Sequence, residues 1–206
     1  MSSTSRRVFA IVPAAGESRR MGQAKLLLPW NVNTVIDNVL EAWTTSNVES
    51  TFVVTRSADS TLKEACGRWP VSLLSSNPDP RDMKESIQVA LRHVSENLSP
   101  TNEDCWMVAP ADLPTLTPKL IDSILAAAND QDVVAPRFGD RQGHPVLLSW
   151  RLANAMLQLP KEAGLDRLLA TQSIHYVDFA ATERLADIDT PAEYDQLRDT
   201  QLRDAQ

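Results

Sequence analysis

The sequence predicts an α/β domain built on a mostly parallel sheet flanked by helices. Three observations predict it. Apolar runs of strand length alternate with amphipathic helical stretches through most of the chain. The first run, Val8 to Val12, is continuously apolar, as a strand buried on both faces must be. Small residues and then cations follow it directly, at the strand end where such sheets bind ligands.

Each element has its own signal. Val35, Ile36, Val39, Leu40 and Trp43 recur at helical spacing, after which Thr51 to Thr55 reads as a strand. A short helix from about Ala58 to Cys66 and a strand from Val71 to Leu74 come next. Lys84 to Leu98 reads as a helix with Ile87, Ala90, Leu91 and Val94 on one face. Cys105 to Ala109 is a fourth strand, and Thr117 to Ala128 a helix with Thr117 as N-cap and Pro118 in its first turn. Val133 to Ala135 and Pro145 to Leu148 are further strands. The remainder reads as mostly helical, with one strand, Ile174 to Val177, before the last helix. Thr190 and Glu193 have the spacing of a capping box at that helix's start. No repeat, low-complexity tract or linker marks a boundary. The expectation is one domain over 1–206, with a core at about 7–197 and polar termini that fray after Leu197.

Composition sets the function classes. The 206 residues are 43% hydrophobic and 23% charged, ordinary for a soluble globular chain. A net charge of −7 argues against a nucleic-acid or anionic-membrane binder, and Arg19, Arg20 and Lys25 are a local exception to it. Cys66 and Cys105 have neither metal-ligand spacing nor a disulfide framework, and Cys105 reads as a buried small hydrophobe. No run approaches the roughly 18 apolar residues of a membrane span. A cytoplasmic location is expected.

The loop from Val12 to Lys25 reads Val-Pro-Ala-Ala-Gly-Glu-Ser-Arg-Arg-Met-Gly-Gln-Ala-Lys. Small side chains at Ala14, Ala15 and Gly16 let main-chain N–H groups approach a phosphate, and cations neutralise it. Two familiar phosphate loops do not fit. Gly16 and Gly22 are too far apart for a P-loop, with Gln23 where its Lys belongs, and the dinucleotide fingerprint lacks two of its glycines. Further along, Asp112 ends an apolar strand between Pro110 and Pro114, well placed for a divalent cation, although an Asx-turn is the plainer reading. Asp187 and Asp189 form a second acidic cluster, on one side of the chain if it is extended. Asp82 reads as the N-cap of the helix that carries Ser86, whose N-terminus suits an anionic group.

The pattern A-A-G-x-S-x-R-M-G-x-x-K resembles the signature loop of the MobA-like nucleotidyltransferases, most closely the molybdenum cofactor cytidylyltransferase branch. The resemblance runs from Val8 to about Tyr194 and implies a Rossmann-like nucleotidyltransferase fold. It implies transfer of CMP from CTP to a molybdopterin phosphate, with Mg²⁺ as metal. Ala15 carries the base assignment, because Ala-Ala-Gly accompanies CTP in this family and Ala-Gly-Gly accompanies GTP. The family's Ala-Asp-x-Pro motif makes Asp112 a metal ligand, and its Asp-x-Asp-Thr-Pro segment favours Asp187 beside it, with Asp189 the alternative. Asn77, Met83 and Ser86 match a loop near the base, with Asp82 where Gly is usual. Gly143-His144-Pro145-Val146 resembles the acceptor-side motif, in which the Gly permits close approach of the pterin. There His144 would donate a hydrogen bond to a ring edge or a phosphate. The backbone amides of Ala14 to Gly16 are assigned to base and phosphates, and Arg20 and Lys25 to the triphosphate and leaving pyrophosphate. Pro13 stands where Leu is usual, and Pro-Ala-Ala-Gly is similar to the cytidylyltransferases of isoprenoid synthesis, which lack Gly-His-Pro-Val. A polyol or sugar phosphate therefore stays open as acceptor, as does a cofactor carrier serving a molybdoenzyme without turnover.

Overall fold

The computed structural model describes residues 6–18, 20–183 and 185–204. Arg19, one of the loop cations, lies outside them. In chain order the strands are β1 (Val8–Pro13), β2 (Pro29–Trp30), β3 (Asn33–Thr34), β4 (Ser50–Val54), β5 (Ser72–Leu74), β6 (Cys105–Val108), β7 (Val133–Phe138), β8 (Arg141–Gln142), β9 (Val146–Ser149) and β10 (His175–Phe179). The helices are α1 (Val35–Thr44), α2 (Ser60–Cys66), α3 (Met83–Leu98), α4 (Pro118–Ala126), α5 (Ala153–Leu157), α6 (Leu165–Leu169) and α7 (Pro191–Asp204).

The main sheet has the order β10-β7-β9-β6-β1-β4-β5, and β2 pairs with β3 in a separate small hairpin. Alternation along β1 divides the core, since side chains of a strand point to opposite faces. Val8, Ala10 and Val12 join one cluster with Ile36, Leu40 and Trp43 of α1 and Ile121 and Ile124 of α4. Phe9 and Ile11 join the other, with Ile87, Leu91 and Val94 of α3 and Met156 of α5. Short polar residues start the helices where the sequence placed them. Thr117 accepts from the Leu120 N–H at 3.2 Å, Asp82 from Glu85 at 2.8 Å, and Thr190 from Glu193 at 3.3 Å. Helix α7 runs on to Asp204, past the point where the polar tail was expected to fray.

The sheet is mixed. Strands β5, β4, β1 and β6 run parallel, but β9 enters antiparallel between β6 and β7. A parallel link needs a crossover of about a dozen residues or more, and β7 instead turns back through Gly139 (φ +60°) into β8 and on to β9. As a result the segment 143–145 that leads into β9 lies on the same edge as the ends of β1 and β6.

That turn needs a glycine at 143. The place where a Gly143 Cβ would sit is 2.5 Å from the Phe138 ring, and Phe138 is buried. The Gly143 N–H donates to the Pro136 carbonyl at 2.9 Å. The missing side chain makes room for a neighbouring ring of the protein itself, and Pro145 is buried beside it. Both residues build the turn.

At the opposite edge, Asp104 binds Arg7. Its carboxylate accepts from the Arg7 N–H at 3.1 Å, the guanidinium at 2.7 Å and the Thr101 N–H at 2.7 Å. Burial pushes this carboxyl up, but the hydrogen bonds from Arg7 and Thr101 prevail and hold it below the usual range. A carboxyl depressed by folding stabilises above its unfolded pKa, and the stabilisation fades as pH falls through the folded value. Asp104→Asn is expected to cost about 1–3 kcal/mol at neutral pH in urea unfolding, with the gap to the native protein closing in strong acid. Gly143→Ala is expected to cost about 1–3 kcal/mol through overpacking, and Phe138→Leu added to it should return part of the loss. An additive double mutant would show that the two positions do not touch.

Candidate nucleotide and metal site

The carboxyl edge of β1, β4 and β6 opens into a cleft lined by Ala14, Ala15, Gly16, Lys25, Arg81, Ser86 and Asp112. Ala14 and Ala15 are buried in its floor. The Ala14 N–H cannot serve a ligand, because it donates to the Val54 carbonyl at 2.8 Å. That corrects the expectation for this amide: the chain turns away from the sheet one residue later than expected. Among the described residues no hydrogen bond engages the N–H of Ala15 or Gly16. A Cβ at Gly16 would meet nothing within 4 Å, so the protein itself leaves that space open.

The rest of the loop is a compact turn. The N–H groups of Met21 and Gly22 donate to the Ser18 carbonyl at 3.0 and 3.1 Å, with left-handed backbone at Ser18 and Gly22. Buried Met21 anchors it. The turn delivers Lys25 to the carboxylate that ends β6: its ammonium contacts Asp112 Oδ2 and reaches Asp189 Oδ1 at 3.3 Å. Arg20 closes the other oxygen of Asp189 at 2.8 Å. Burial works to lower the Lys25 pKa, but Asp112 and Asp189 outweigh it and hold the ammonium above its usual range.

Asp189, rather than the motif-favoured Asp187, is the carboxylate that meets Lys25. Between the two, Ile188 is fully buried and its N–H donates to the Asp112 carbonyl at 3.2 Å. Tyr194 Oη donates to the Pro29 carbonyl at 2.5 Å and docks the start of α7 on the small hairpin. Asp187 is exposed, on the side where its charge is felt by His144. Among the described residues no group of three or more His, Cys, Asp or Glu side chains stands at metal-binding spacing. Asp112 Oδ1 is buried with no hydrogen-bond partner. One or two carboxylates completed by substrate phosphates is how Mg²⁺ is usually held, and the orphaned oxygen fits that donor set.

A second lobe adjoins the first across Asp82 and Met83, lined by His144, Gln142, Lys84, Asp166 and neighbours. Burial pushes the His144 imidazole down, against the Val108 carbonyl, Asp112 and Asp187, which raise it. Nδ1 is buried and unpartnered. Lys84, fully committed within the protein, donates to the carbonyls of Pro160 and Lys161 at 2.9 and 2.6 Å.

Of the other expected residues, Ser86 is buried on the cleft wall and donates to the Asp82 carbonyl at 3.2 Å. Asn77 is exposed and not part of the wall. Arg81 was missed. It lines the cleft and is braced by Glu85, whose carboxyl the Arg81 hydrogen bonds draw down to about 2. The Arg81–Glu85 spacing of four residues across a helix start was the available signal. Among the described residues no helix is long and apolar enough to cross a membrane.

Comparison with known proteins agrees with this geometry. The chain is 28% identical over 188 residues to the molybdenum cofactor cytidylyltransferase of Escherichia coli K12, covering 91% of this chain and 93% of that protein. It is 26% identical over 203 residues to the purine catabolism protein PucB of Bacillus subtilis 168, covering 93% and 96%. Among solved structures, Rv0371c of Mycobacterium tuberculosis superposes with a TM-score of 0.81 at 21% identity, covering 95% of this chain and all of that one. Its complex with manganese gives 0.76 at 20%, covering 94% and 98%. A CMP:2-keto-3-deoxy-manno-octonic acid synthetase complexed with CTP gives 0.75 at 15% identity, covering 96% and 99%. Residues 10–177 match the MobA-like NTP transferase domain, so the chain belongs to the MobA-like NTP transferase family and is a nucleotidyltransferase.

Proposed function

We propose that the protein transfers CMP from CTP to the phosphate of a molybdopterin-type acceptor and releases pyrophosphate. The observation that carries this reading is the meeting of Lys25, Arg20, Asp112 and Asp189 at the mouth of the Ala14–Gly16 cleft. The relation to a molybdenum cofactor cytidylyltransferase supports the acceptor, and Ala15 supports the base.

In the reaction an acceptor phosphate oxygen attacks the α-phosphorus, a new P–O bond forms, and the bond to the β-phosphate oxygen breaks as pyrophosphate leaves. The attacking oxygen is already anionic near neutral pH, so no general base is needed. Catalysis rests on positioning and charge stabilisation. The free N–H groups of Ala15 and Gly16 hold the nucleotide against the floor. Lys25 and Arg20 take the charge of the triphosphate and then of pyrophosphate. Asp112 and Asp189 would hold a Mg²⁺ ion, which supplies charge neutralisation at the α-phosphate when bound. In the second lobe His144 would hydrogen-bond to a ring edge or a phosphate of the acceptor.

With Mg²⁺ and a molybdopterin acceptor, CTP should outperform GTP as a source of pyrophosphate by about tenfold or more in kcat/KM. Equal rates would remove the base assignment, and release with methylerythritol phosphate alone would move the acceptor to the polyol class. Tight cofactor binding with no pyrophosphate release from any pair would make the protein a carrier. Asp112→Asn should lower kcat by about 10²-fold or more with an unchanged fold by circular dichroism. Undiminished turnover would take Asp112 out of the metal site.

A further inference from the structure

In the free protein the catalytic charges satisfy one another. Lys25 engages one oxygen each of Asp112 and Asp189, and Arg20 engages the other oxygen of Asp189. The side chains of Lys25 and Asp112 are each 15% exposed, so solvent screens this cluster weakly. Two cations and two carboxylates sum to zero. From this we infer that Lys25 occupies the metal's place in the free protein, so that the divalent cation and the triphosphate bind strongly only together. The inference rests on the proposed assignment of Asp112 as metal ligand.

The physical argument is one of partner exchange. A dication that arrives alone must displace the ammonium from Asp112, and then leaves it half-buried beside a like charge with nothing to bind. A triphosphate that arrives alone adds a large negative excess next to two carboxylates. When both arrive, Lys25 and Arg20 move to phosphate oxygens and the carboxylates turn to the metal, so that every charge has an opposite neighbour. Lys25 can make this move because it follows the exposed residues Gly22, Gln23 and Ala24, whereas Asp112 is tied through its main chain to Ile188. The unpartnered Asp112 Oδ1 marks the coordination that Lys25 does not supply. Binding of each ligand then favours the other by the same factor, as linkage requires.

The test measures Mn²⁺ binding to the nucleotide-free protein by electron paramagnetic resonance, for the native chain, Lys25→Met, Lys25→Arg and Asp112→Asn, each checked for fold by circular dichroism. Lys25→Met should bind Mn²⁺ about tenfold more tightly than the native chain. Lys25→Arg should stay close to native, and Asp112→Asn should lose binding. In the native protein, titration calorimetry with α,β-methylene-CTP should show affinity about tenfold or more higher with saturating Mg²⁺ than without it. If Lys25→Met binds Mn²⁺ no better than native while Asp112→Asn abolishes binding, the exchange is wrong and the metal assignment stands. If Asp112→Asn binds Mn²⁺ as the native chain does, the metal assignment falls and the inference with it. Should Lys25→Met fail to fold, nucleotide affinity in the native protein that ignores Mg²⁺ overturns the exchange by itself.

Discussion

The parallel pairing of β1 with β6 decides where every charge of the site falls. Val8 lies opposite Cys105 and Ile11 opposite Val108. A slip of one residue would send each side chain of the slipped strand into the opposite core cluster, and it would also carry Asp112 away from the loop that follows β1. The register is held at both ends. Arg7 and Asp104 bind at the amino edge, and the Ala111 N–H reaches the Pro13 carbonyl at 3.4 Å at the other. Lys25 and Asp112 are far apart in sequence, and this pairing alone brings their loops to the same height.

The electrostatics follow from that placement. In an acidic protein a cluster of cations has few free places, because carboxylates find them. Here they do so usefully: the cations that would grip phosphate are held by the carboxylates that would grip metal. Burial opposes the charge on Lys25 and the neighbouring carboxylates sustain it, so the ammonium is kept ready in a half-buried position. His144 is the contrary case. There burial outweighs the Val108 carbonyl, Asp112 and Asp187, and the imidazole is held below its usual range.

Much of this was legible in the sequence. Val8 to Val12 announced a buried strand, and the bare residues after it announced a ligand. The caps at Asp82, Thr117 and Thr190 depend on local hydrogen bonding and were readable one by one. Asp112 was readable because it ends a continuous apolar run. Contacts between segments were less legible. Asp187 and Asp189 share a side in an extended chain, and only the burial of Ile188 and the docking of Tyr194 on the β2–β3 hairpin turn Asp189 toward Lys25. The need for Gly143 beside the Phe138 ring is a contact between segments that no local pattern announces. The commitment of the Ala14 N–H to Val54 depends on where β4 ends, which periodicity locates to within a residue or two. The reversed direction of β9 was readable in principle, since the segment between Ala135 and Val146 is too short for a crossover.

Helix α3 touches both halves of the cleft. Its first turn carries Ser86 on the wall of the nucleotide lobe, and Lys84 in the same turn holds the carbonyls of Pro160 and Lys161 at the rim of the other. One turn further on, Gln88 holds the Met156 carbonyl at 3.0 Å. On the proposed function the two substrates would be gauged against a single rigid rod rather than against two independently moving loops. Such a rod would act as a common ruler: loops on either side could change length and chemistry to admit a new acceptor while the distance between the reacting phosphates stayed the same.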